Sequence, residues 1–95
     1  MCVFKYIKHE VLFIHTPLEV QAKLLMKILS NHGYEWISGR SLLEVTNWDR
    51  CEVDTAYGLY FSGVSYGNKD NHKYISFDKF LEMYLFENSN LLGGN

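Results

Sequence analysis

Val11-Leu12-Phe13-Ile14-His15-Thr16-Pro17-Leu18-Glu19 holds a strand and the start of a helix in nine residues. The run Val11 to His15 is β-branched and aromatic and bounded by polar residues. It reads as a strand buried on both faces, central in a sheet. Thr16 is placed to cap a helix, Pro17 to occupy its first position and Glu19 to complete a capping box. At 100° per residue, Leu18, Ala22, Leu25, Met26 and Leu29 share one face, and Glu19, Lys23, Lys27 and Ser30 lie opposite. Gly33 supplies a left-handed stop.

Downstream, Tyr34 to Ile37 is expected to form a second strand running beside the first, parallel or antiparallel. The segment from Ser38 to about Asp54 is long for a structureless loop, with a helical turn expected at Leu42-Leu43-Glu44. Thr55 to Phe61 alternates as a strand, Ser62-Gly63 turns, and Val64-Ser65-Tyr66 begins the return. Gly67 to Asn71 has the composition of an exposed loop and Lys73 to Ile75 that of a strand. Ser76 can cap a closing helix whose apolar positions are Phe77, Phe80, Leu81 and Tyr84. Met1 to Lys8 could add an edge strand. The expected architecture is an α+β two-layer sandwich: a mixed four- or five-stranded sheet with two helices on one face. Residues 1–87 form a single domain, followed by a flexible C-terminal tail, 88–95.

A chain of 95 residues is too short for two cores. Its 47% hydrophobic and 21% charged residues suit a packed domain, and seven Tyr, six Phe and two Trp supply large rings to fill it. A net charge of −2 with nine unclustered basic residues argues against general nucleic-acid binding. Cys2 and Cys51 make no disulfide framework. Met1 to Tyr6 lacks a signal-peptide hydrophobic region, and no apolar run nears the ~20 residues of a membrane span. A reducing cytoplasm is the expected compartment.

No reactive arrangement of side chains is expected. His9, His15, His32, His72, Cys2 and Cys51 lack zinc-ligand spacing. Cys51 has only Asp49 and Arg50 beside it, and Asp49/Glu52 reads as surface charge. His15 reads as a hydrogen-bonded structural histidine. Gly58, Gly63 and Gly67 read as strand kinks and turns. The expectation is therefore a protein that is not an enzyme and holds no metal or cofactor.

What remains is a recognition set: Trp36, Arg40, Ser41, Asn47 and Trp48, extended by Lys73 and by Tyr60, Tyr66 and Lys69 if the hairpin curls toward the loop. A guanidinium grips phosphate or carboxylate in bidentate fashion. An indole can stack on a base or anchor a protein partner. Plainer roles stay open for each. Trp36 can pack under the first helix, Arg40 can pair with Glu44 at i+4, and Asn47 can cap a turn.

The motif Gly33-Tyr34-x-Trp36-x-Ser38-Gly39-x-Ser41-Leu42, with Thr46-Asn47-Trp48 and Thr55-x-Tyr57, resembles a group of small bacteriophage and prophage proteins over about residues 10 to 85. That resemblance implies a cytoplasmic protein of the infected bacterial host with an anti-defence role by stoichiometric binding. It would sequester a nucleotide immune signal, as a sponge does, or inhibit a host defence effector such as a CRISPR nuclease. The alternatives are a small nucleotide-processing enzyme and an accessory protein that binds host regulatory proteins. No catalytic residue is carried over from the group. Exposed rings on the hairpin or final helix also fit a homo-oligomer.

Overall fold

The computed structural model describes residues 12–60 and 63–93, with side chains through Phe86. The expected Met1–Lys8 strand, Cys2, His9 and the Val11, Phe61 and Ser62 ends of other elements lie outside these residues. The order is β1 (Leu12–His15), α1 (Glu19–Asn31), β2 (Thr55–Tyr60), β3 (Gly63–Asn68), β4 (Tyr74–Ser76) and α2 (Phe77–Gly93). The four strands form one mixed sheet in the order β3-β2-β1-β4. β1 is antiparallel to β2 and parallel to β4, and β2 and β3 are antiparallel.

The fold is an α+β two-layer sandwich. In the register, Ile14 lies opposite Tyr57 and Ile75, and Leu59 opposite Leu12 and Val64, so these side chains share one face of the sheet. They form one core with Ala22, Leu25, Met26, Ile28 and Leu29 of α1 and Phe77 and Phe80 of α2, so both helices cover that face. Burying each large apolar side chain contributes about 1.5–3 kcal/mol. On the other face the Phe13 ring stacks on His72, with centroids 3.8 Å apart and planes 9° apart, and overlies Gly58. β1 is thus central and covered on both faces, as its composition predicts.

α1 starts later than expected. Thr16 is not its cap: its N–H stays in the sheet, donating to Thr55 O at 2.9 Å, and its Oγ1 meets no helix N–H. The Thr16 side chain is fully buried. Leu18, still extended (φ −117°, ψ 139°), takes the capping position. Its N–H donates to Gln21 Oε1 at 3.1 Å, so Gln21 rather than Glu19 closes the first turn. Lying outside the helix, Leu18 is 56% exposed instead of sharing the buried stripe, which Ile28 completes. At the other end, Gly33 (φ +88°) donates to Ser30 O and Tyr34 N–H to Leu29 O, both at 3.0 Å. That is the Schellman stop.

Tyr34 to Ile37 does not form a strand beside β1, since β2 fills that position. Only Trp36 makes a bridge, and it runs parallel to Val64 on the far edge of the sheet. Ser76 caps α2, its Oγ accepting from Lys79 N–H at 3.0 Å. The helix continues to Gly93, through Asn88–Asn90, where composition favours a tail. Among the described residues no helix is long and apolar enough to cross a membrane.

Candidate functional site

The site grows from the point where α1 ends. After the Gly33 stop the chain meets the outer edge of β3: Val64 N–H donates to Glu35 O (2.9 Å) and Ile37 N–H to Val64 O (3.1 Å). Gly63 permits this approach. A Cβ there would sit 2.8 Å from Glu35 O and 3.0 Å from the Ile37 Cα and N, at a φ of +141°. The contact is brief because the next residues turn. Gly39 N–H donates to Trp36 O (2.7 Å) and Trp36 N–H to Arg40 O (3.0 Å), which carries the chain away from the sheet.

The long segment that follows is stitched down by polar atoms on large rings. Trp36 Nε1 donates to Val45 O (3.1 Å) and Tyr57 Oη to Thr46 O (2.6 Å). Trp48 Nε1 donates to Thr16 O (2.9 Å), and Trp48 O accepts from Thr55 Oγ1 (3.2 Å). Loop carbonyls would otherwise remain unpaired against apolar rings, a cost of about 1–3 kcal/mol each. Burial pushes the Tyr57 phenol well above its ordinary value near 10; the bond to Thr46 acts the other way but more weakly. The ring therefore stays a neutral donor at any physiological pH.

Between this stitched loop and β3 lies an open cleft of about 310 Å³, at the small end of the range for ligand sites. Trp36, Val64 and Tyr66 line it from the sheet side, Ile37, Ser38, Arg40, Val45 and Asn47 from the loop. Ile37 is 50% exposed and Val45 and Tyr66 each 38%, so the cleft has an apolar, accessible rim.

The six residues singled out from the sequence divide evenly. Trp36, Arg40 and Asn47 line the cleft; Ser41, Trp48 and Lys73 do not. Trp36 is only 6% exposed, its ring set against Tyr57 and Tyr66 at 6.0 Å. It packs against these two sheet rings and is nearly closed to a ligand. Arg40 reaches Glu44 at 3.6 Å, with both side chains more than half exposed, a pair worth about 0.2–1 kcal/mol. Ser41 serves its own turn: its Oγ accepts from Leu43 N–H (3.1 Å), and its N–H donates to Glu44 Oε2 (3.3 Å). Asn47 is left-handed (φ 59°) and precedes the turn Trp48–Arg50 without a side-chain cap bond. Trp48 is half-buried against the core. Lys73 is exposed and precedes β4, on the edge of the sheet opposite β3.

Sequence reasoning passed over Ile37 and Val45. Both stand in an aromatic and polar context, and nothing local marks them as a rim. Among the described residues no three His, Cys, Asp or Glu side chains are grouped to hold a metal. His15 Nε2 is 2.7 Å from Val53 O, and Cys51 is a half-buried free thiol. Compared with protein families, with curated proteins and with solved structures, the chain matches none, so the site is read from its geometry alone.

Proposed function

We propose that this chain is a non-catalytic, phage-encoded anti-defence protein that binds a host defence protein stoichiometrically through the cleft beside β3. The observation that carries this reading is the division of labour among the rings. Both indole N–H groups donate within the fold, Trp36 is nearly inaccessible and Trp48 is half-buried outside the cleft, so the cleft offers a nucleobase little tryptophan surface to stack on. The accessible groups are Ile37, Val45 and Tyr66 with Arg40 at the rim, a mixture of apolar and guanidinium contacts suited to a protein surface. The protein works in the cytoplasm of the infected host.

Titrating the chain into a purified host effector, for example a CRISPR nuclease, tests this. Inhibition should saturate near an equal molar ratio and be lost in Ile37→Asp and Val45→Asp. Wild-type inhibition that persists undiminished in both variants would contradict the reading.

A second reading, the nucleotide sponge, draws on one observation. The loosely paired Arg40 guanidinium can swing to a phosphate at the mouth of the cleft. A thermal-shift panel of cyclic dinucleotides and ADP-ribose derivatives separates the two. Saturable binding abolished by Arg40→Ala selects the sponge, and turnover of any panel member would overturn both non-catalytic readings.

A further inference from the structure

We infer that the partner enters as an extended peptide segment that adds at Tyr66 to the outer edge of β3, where no described strand pairs, with a carboxylate side chain reaching Arg40. This deepens the protein-binding reading above and rests on it. In the antiparallel β2–β3 pair, Leu59 lies opposite Val64 and Tyr57 opposite Tyr66. Val64 directs both main-chain groups outward, to Glu35 and Ile37. Main-chain direction alternates along a strand, so Tyr66 and Asn68 also point outward, away from β2. Among the described residues no main-chain bond outside the sheet ladders reaches the N–H or C=O of Tyr66.

The chain itself begins this pairing and then abandons it. Glu35 to Ile37 lies along β3 for one bridge, and the Trp36–Arg40 turn pulls the next residues off the edge. The cleft opens where the pairing stops. An incoming strand would continue it, its main chain supplying affinity and its side chains selectivity. Among the described residues Arg40 is the single charged one lining the cleft, which sets the complementary charge of the occupant. Ile37 and Val45 favour an apolar neighbour beside that carboxylate.

The test uses a displayed library of random linear peptides selected on the full chain, with affinities of enriched peptides read by fluorescence anisotropy. Tyr66→Ala removes the ring and keeps the N–H; Tyr66→Pro removes both. The lost N–H points away from β2, so the β2–β3 ladder tolerates the proline. Enriched peptides should carry Asp or Glu, bind Tyr66→Pro about two- to tenfold more weakly than Tyr66→Ala, and slow exchange of the wild-type Tyr66 amide. That amide measurement decides the matter even if the proline variant fails to fold. Failure to enrich any peptide, or unchanged Tyr66 exchange in the bound state, overturns the inference. If a folded effector is nevertheless inhibited in an Arg40-dependent way, only the edge pairing falls and the cleft remains a protein site.

Discussion

Replacing Gly63 with alanine should unseat the segment that forms one wall of the cleft. The new Cβ would lie 2.8 Å from Glu35 O and 3.0 Å from the Ile37 Cα and N, and all three are backbone atoms without rotamer freedom. Relief requires the segment to move off β3, which breaks Val64 N–H to Glu35 O and Ile37 N–H to Val64 O. Two such bonds contribute about 0.5–1.5 kcal/mol each. Holding alanine at a φ of +141° adds about 1–3 kcal/mol. The sum is about 2–6 kcal/mol, a large part of the stability of a small domain. Gly39→Ala is the control: its φ is also positive, at +93°, but nothing lies within 4 Å of the added carbon. It should cost only about 1–2 kcal/mol. Urea unfolding followed by circular dichroism, with the slope checked for constancy, gives both values. If Gly63→Ala costs no more than Gly39→Ala and leaves the Ile37 and Val64 amides protected from exchange, the close approach is not what holds this wall.

Other expectations follow from the same geometry. Tyr57→Phe should cost about 1–3 kcal/mol by leaving Thr46 O without its donor, measurable by denaturant titration. Because the folded Tyr57 phenol is held above its unfolded value near 10, its contribution is intact below that pH. Above it the unfolded chain ionises first, so stability should fall by about 1.4 kcal/mol per pH unit. The wild type minus Tyr57→Phe difference in alkaline unfolding isolates that slope, and equal slopes would contradict the assignment. Gly58→Ala would place a carbon 2.6 Å from the Phe13 ring, itself stacked on His72, and should lower stability by about 1–3 kcal/mol by differential scanning calorimetry. Arg40→Ala should change stability by less than about 1 kcal/mol, since its partner is exposed and 3.6 Å away, while weakening partner binding in a titration.

Much of the scaffold is legible in local pattern. The hydrophobic run ending at His15, the stop at Gly33 and the Ser76 cap each depend on neighbours within a few residues, and each stands where the pattern puts it. Thr16 misleads because its main-chain bond to Thr55 O carries the sheet one residue past β1 and delays the helix, a contact across the sheet that no local pattern shows. Tyr34 to Ile37 has the composition of a strand, but which edge it meets depends on β2 taking the place beside β1. The site divides on the same principle. Arg40 and Glu44 are four residues apart, and their pairing is visible in the sequence. The bond from Trp48 to Thr16 spans 32 residues and that from Trp36 to Val45 spans nine, so neither ring could be recognised as a fastener from the chain alone.

The proposed binding mode requires both indoles to fasten the loop beside the cleft while the rim makes the contacts. Hydrogen exchange of the two indole N–H groups, read by nitrogen-15 NMR, tests this most directly. Both protons should exchange far more slowly than in a free indole, and partner binding should leave them unchanged. Exchange at the free-indole rate in either tryptophan, or large shifts of both on adding a nucleotide, would contradict it.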